Sequence, residues 1–199
     1  RDSFFSVATL GSVANRIPAL ALVATGMTLV MITGGIDLSV GSVLGFCGAA
    51  VGVMMADWQW GLALAVLSSL VLGACIGGTT GAVSVKLGLP SFIVSLGMLE
   101  IVRGLAFLTT DSQTKYIGAS IESLGAPFGS LVISPAFVVS VLVVIAGQIL
   151  LSHTKIGRYL IAIGASQEAA LISGVPVDSP RILAHALLGS LTGLAAVFN

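Results

Sequence analysis

The fold class this sequence predicts is all-α: a polytopic transmembrane helical bundle with about six spans. Three observations predict it. The 199 residues are 56% hydrophobic and only 8% charged, with a mean hydropathy of +1.12. A typical soluble domain carries about 25% charged residues, and a soluble fold of this size could not hide so much apolar surface. Several apolar runs are long enough to cross roughly 30 Å of hydrocarbon, which takes about 20 helical residues. The 25 glycines recur at four-residue spacing, and the alternating pattern of a membrane β-barrel is absent. The apolar composition makes a lipid bilayer the expected surroundings, and the zero net charge suggests no nucleic-acid partner and no acidic substrate.

The elements follow in order. Ile17–Gly35 is the first expected span. Leu38–Ala56 follows at once, and Asp57-Trp58-Gln59-Trp60 ends it with interfacial tryptophans. Gly61–Val85 is the third, closed by Lys86, and Ser91–Thr110 is the fourth, started by Pro90. Residues 111–130 read as a polar loop. Leu131–Leu151 is the fifth span, 152–180 a longer polar loop, and Ile182–Asn199 the start of a sixth. The richest cation cluster, Lys155, Arg158 and Arg181, places the 152–181 loop in the cytoplasm. Lys86 then lies inside, and the tryptophan turn and the 111–130 loop lie outside. Arg1 and Arg16 fall outside, against the rule.

The glycine pairs Gly41/Gly45, Gly48/Gly52, Gly73/Gly77, Gly77/Gly81 and Gly189/Gly193 predict close helix–helix packing. Cys47 and Cys75 sit in apolar runs and read as small packing residues, without metal or redox spacing. The chain holds no phosphate-binding loop, no H-E-x-x-H and no G-x-S-x-G, so it offers no catalytic set. Transport is the default for such a chain.

Three features stand out. In "MITGGIDLSVGS", Gly34-Gly35 can end one helix, and Asp37 or Ser39 can cap the next. The same residues suit a break within the membrane, where half-helix ends meet a polar translocation path. Forty residues from Ile17 to Ala56 allow either arrangement. Glu100 and Arg103 lie mid-span at i, i+3, and the cost of burying either alone predicts an intramembrane charge pair. Gln167–Ser173 reads as a short helix with Ser166 as N-cap, Glu168 in its first turn, and Gly174 and Pro176 after it. Its small apolar Ala169-Ala170-Leu171-Ile172 surface suits a partner's groove or a return onto its own bundle.

Three stretches resemble the permease subunits of ribose-type ATP-binding-cassette sugar importers. They are "GMTLVMITGGIDLSVGSVLG", "LPSFIVSLGMLEIVRGLAF" and "GRYLIAIGASQEAALISGV". The resemblance implies a permease of roughly ten helices, so 1–199 would be one incomplete permease domain lacking an earlier helix and the C-terminal third. It implies transport of a monosaccharide or related polyol, no catalysis, and no cofactor on this chain. The partners it implies are a second permease copy (identical or paralogous), a cytoplasmic cassette ATPase and a periplasmic sugar-binding protein, at the bacterial inner membrane. Glu168-Ala169-Ala170 followed by Gly174 is similar to the loop through which such permeases contact their ATPases, and Gly164 and Ser166 belong to that stretch. The Ile-x-Leu-Pro part of the wider pattern is replaced by Ala184-His185-Ala186. Two other readings compete: an ion- or proton-coupled secondary transporter using Asp37 or Glu100, and a structural subunit without a path of its own.

Overall fold

The computed structural model describes residues 11, 15–115 and 133–198. Among these, the regular structure is entirely helical: α1 Pro18–Ile32, α2 Val40–Ala56, α3 Leu62–Lys86, α4 Ser91–Thr110, α5 Pro135–His153, α6 Lys155–Ala165, α7 Gln167–Ile172 and α8 Asp178–Val197. Four of them, α3, α4, α5 and α8, are long and apolar enough to cross a membrane. α1 and α2 are shorter, at 15 and 17 residues. At 1.5 Å per residue α1 reaches roughly 22 Å, less than the hydrocarbon thickness.

Local chemistry sets the ends. Pro18 starts α1, where its missing N–H costs nothing. Ser134 caps α5, its hydroxyl accepting from Phe137 N, with Pro135 next. The expected polar loop 152–180 is a correction. Besides the short helix expected at Gln167–Ser173 it contains α6, and α8 begins at Asp178 rather than Ile182. Its polarity disguised an amphipathic helix: Gly157, Leu160 and Ile163 are buried in α6, while Lys155 and Arg158 face out. Asp178 and Arg181 fall outside an apolar window yet belong to the first turn of α8. The start expected for the fifth span at Leu131, and most of the 111–130 loop, lie outside the described residues.

The centre of the bundle is an antiparallel seam between α3 and α8, built on backbone contact. A Cβ at Gly73 would collide with the Gly189 carbonyl oxygen, one at Gly77 with that of His185, and one at Gly193 with that of Ser69. Ser69 Oγ donates to the Gly193 carbonyl at 2.6 Å. These are the expected glycine pairs of α3 and α8. At Gly41 and Gly45 of α2, by contrast, a Cβ would meet nothing within 4 Å.

α8 holds the two short helices at different depths. Its first half meets α1, in a core of Leu29, Val30, Leu160, Ala184 and Leu188 that also includes α6. Its last turn meets α2 and α3, through Ala50, Val51, Met54, Ala65 and Val197. α4 joins α2 through Val43, Cys47 and Val102. One end of the bundle carries the tilted Trp58–Trp60 pair, with ring centroids 5.3 Å apart, and a 2.7 Å ion pair from Lys115 to Asp57. The opposite end carries the 33–39 segment, the α3–α4 turn and α6–α7.

Candidate functional site

Two features share that opposite end: a break between α1 and α2, and an arm made of α6 and α7.

The break starts where α1 stops. Gly34 has φ +75, in the left-handed region. Gly34 N donates to Met31 O and Gly35 N to Val30 O, at 2.9 and 3.1 Å, which closes the helix with a Schellman turn. The chain then runs without helical structure to Ser39. α1 and α2 do not lie side by side as a hairpin. The segment instead lies along the first two turns of α4. Ser91 Oγ accepts from Ile36 N at 2.9 Å and donates to Ile36 O at 3.0 Å. Ser95 Oγ accepts from Leu38 N at 3.0 Å. Four residues of α4 separate the two serines, so the chain climbs roughly 6 Å into the bundle before α2 begins.

Asp37 lies within this climb and is 2% exposed. Its Oδ1 accepts from Ser39 N at 2.9 Å and from Ser39 Oγ at 2.6 Å. The two expected caps therefore engage each other. Ser39 is the N-cap of α2 by position, but its hydroxyl makes no bond to the helix. The first N–H groups of α2 have no side-chain cap, although the helix starts inside the bundle. Irregular backbone at membrane depth is tolerated where it is packed by protein or lines a wet cavity. Here the serines and Asp37 pack one side, while the Ile36 and Leu38 side chains are exposed on the other.

The arm begins at Thr154. Its hydroxyl donates to Leu150 O at 2.6 Å and accepts from Gly157 N at 3.1 Å, joining the end of α5 to the start of α6. Ser166 then caps α7, accepting from Ala169 N at 3.2 Å. Glu168 stands in the first turn, where the helix dipole favours it. Gly174, φ +76, closes α7 with Gly174 N to Leu171 O and Val175 N to Ala170 O, both 3.0 Å. Of the two alanines, only Ala170 turns inward, against Ile163 and Val177. Glu168 and Ala169 are exposed, and Leu171 and Ile172 are 64% and 81% exposed. A six-residue helix thus displays two large apolar side chains beside a carboxylate.

Glu100 and Arg103 require a correction. Both are exposed, and no ion pair joins them. α4 packs through the narrow stripe of Ser91, Ser95 and Val102. At 100° per residue Glu100 lies half a turn from that stripe. The face carrying both charges has no neighbouring element among the described residues, so nothing brings the two groups together.

Ser91 and Ser95, which hold the break, are the residues of this candidate site that sequence reasoning missed. Two hydroxyls four residues apart at the start of an apolar helix are the signal that could have found them. His185 was also passed over. It is 1% exposed in the α3–α8 seam, with Nδ1 2.9 Å from the Arg181 carbonyl. Among the described residues no three His, Cys, Asp or Glu side chains come together as a metal site would need.

The bundle and the break define a multi-pass helical membrane protein. The comparisons sharpen the class. Residues 9–199 match the family described as the branched-chain amino acid transport system permease component, and the chain belongs to that family. It is 33% identical over 204 residues to the ribose import permease protein RbsC of Escherichia coli strain K12, covering 99% of this chain and 62% of that protein. It is 31% identical to the ribose import permease protein RbsC of Haemophilus influenzae, covering 98% of this chain and 61% of that protein. It is 35% identical to the autoinducer 2 import system permease protein LsrC of Yersinia pseudotuberculosis, covering 98% and 55% respectively. The chain therefore spans less than two thirds of the length of these relatives. No solved structure matches it.

Proposed function

We propose that this chain is the membrane-spanning permease part of an ATP-binding-cassette importer. It passes a monosaccharide or related polyol across the bacterial inner membrane. A periplasmic binding protein delivers the solute, and ATP is hydrolysed on separate cytoplasmic subunits. Two permease copies enclose the path. The family description names branched-chain amino acids, whereas the relatives above are named for ribose and autoinducer 2. The sugar class is taken from the ribose permeases, which align over almost the whole chain, as the autoinducer 2 permease does.

The observation that carries the reading is α7. A helix this short has no intrinsic stability, yet it is capped at both ends and holds Leu171 and Ile172 away from its own bundle. Buried in a groove of a partner ATPase, those side chains supply the apolar anchor and Glu168 the polar rim. ATP-driven closure of the ATPase pair then moves the arm. The path alternates between outward-open and inward-open states. The cation-rich end, with Lys86, Lys155, Arg158 and Arg181, is the cytoplasmic one.

A proton-coupled carrier working through Asp37 or Glu100 has less support. Asp37 is bonded locally to Ser39, and such a carrier has no use for an exposed α7. The test is co-purification of the full-length permease with its cassette ATPase, followed by addition of sugar-loaded binding protein. Stable association and stimulated ATP hydrolysis are expected. Uptake that needs no ATPase and collapses with the membrane potential would instead establish the proton-coupled carrier.

A further inference from the structure

The arm touches more than its own base. Gly157 packs its backbone on the last carbonyls of α5, so a Cβ there would collide with Leu150 O and Leu151 O. Seven residues later Gly164 does the same to α1, where a Cβ would collide with the carbonyl oxygen of Ile32. The Gly164 hydrogen in that position points at the oxygen, which is the geometry of a Cα–H···O contact. Seven residues are two helical turns, so both glycines lie on one side of α6. Leu160 lies between them, fully buried in the core with Leu29 and Val30 of α1.

Two further contacts make this a mechanical chain. α7 follows α6 with only Ser166 between them, and Ala170 packs on Ile163. α6 and α7 are therefore one unit. Ile32 is the last helical residue of α1 and is followed directly by the Schellman turn and the 33–39 break. Backbone-on-backbone contact leaves no flexible side chain to absorb a displacement. The break is the non-helical element directly beyond it, held to the bundle by the hydroxyls of Ser91 and Ser95 and by the burial of Thr33, Gly35, Asp37 and Ser39.

We propose that Gly164 is the joint that passes motion of α7 to the end of α1, and that the 33–39 break is the element that answers it. This rests on the reading of α7 as the ATPase-docking helix. Gly164 is a positioning residue: it touches no solute and acts through Ile32. Substitution with alanine forces α6 and α1 apart, which also loosens Leu160 from Leu29 and Val30 and so uncouples the break from the arm.

The test uses the full-length permease bound to its ATPase in lipid nanodiscs, in a Cys75→Ala background, since Cys75 is exposed and Cys47 buried. A single cysteine is placed at Ile36, whose side chain is exposed in the break, or at Ser152, exposed at the end of α5. A membrane-impermeant maleimide reports the labelling rate with and without ATP and vanadate. Nucleotide is expected to change the rate at Ile36→Cys by about fivefold or more and to change Ser152→Cys far less. Adding Gly164→Ala should abolish the nucleotide effect at position 36 while the complex still assembles and hydrolyses ATP. An effect at 36 that survives Gly164→Ala overturns the proposal. So does an unchanged rate at 36 in the parent protein, a comparison that stands even where Gly164→Ala fails to fold. A permease that captures no ATPase sinks the docking reading itself, and is seen before any labelling.

Discussion

The α3–α8 seam and the α1–α6 joint use the same device for opposite ends. In both, glycine lets one backbone rest on another. The seam repeats the contact at Gly73, Gly77, Gly189 and Gly193 and adds a hydrogen bond from Ser69, so the two helices are welded along several turns. The joint makes the backbone contact once, at Gly164 beside the packed Leu160, and non-helical chain follows directly behind Ile32. Repetition makes a slab; a single contact beside a break makes a lever. Close packing alone therefore does not say whether a glycine holds parts still or moves them. The stiffness of the chain just beyond the contact decides.

The largest expected effect comes from breaking the weld. Gly77→Leu drives a side chain into the His185 carbonyl, which is backbone and cannot rotate away. Overpacking of this kind costs about 1–3 kcal/mol or more, and the better helix propensity of leucine returns less than about 1 kcal/mol. Loss of folded protein is expected, read as a lowered Tm in detergent and a collapsed gel-filtration peak. A variant that kept its Tm would show that the seam is looser than its contacts imply.

Next comes the lever's outer end. Leu171→Asp with Ile172→Asp leaves the bundle untouched, since both side chains are exposed. It removes an apolar anchor of the kind that is worth about 2 kcal/mol or more at an interface. Tm should hold while ATPase capture falls at least about thirtyfold, the factor that energy corresponds to. Equal capture by the double variant would assign docking to some other surface.

Ser91→Ala tests what holds the break. Its hydroxyl serves both Ile36 N–H and Ile36 C=O. An unsatisfied buried donor costs about 1–3 kcal/mol. A modest fall in Tm is expected, together with faster hydrogen exchange confined to residues 33–39. Uniformly faster exchange would mean that the break and the bundle melt as one.

How far the sequence carried is best seen residue by residue. Among the described residues hydropathy placed a helix in each expected span, four of them long enough to cross, because a bilayer rewards uninterrupted apolar length. It missed α6, whose polar face reads as loop and whose buried face uses a glycine at 157 where a large apolar residue would have been recognised. The α7 caps were legible because Ser166, Glu168 and Gly174 act on their own neighbours. Ser91 and Ser95 were not, because their partners lie 55 and 57 residues away. The expected Glu100–Arg103 pair had the right helical spacing. Spacing fixes direction on a helix but does not supply the neighbour that presses two side chains together.

The smallest expected effect is at Asp37, and it sharpens the contrast most. Asp37→Asn keeps an Oδ1 that accepts from Ser39 N, and it weakens the bond from Ser39 Oγ by removing charge. If the aspartate serves the turn alone, the stability lost is less than the roughly 1 kcal/mol of one ordinary hydrogen bond, and Tm falls only slightly. Transport then stays close to the parent. Asp37→Ala, which removes both bonds and leaves Ser39 without its acceptor, should cost more than Asp37→Asn on both measures. An Asn variant that folds, captures ATPase and yet fails to transport would place the carboxylate on the solute path. The break would then be a moving part that also meets the cargo, unlike anything in the α3–α8 weld.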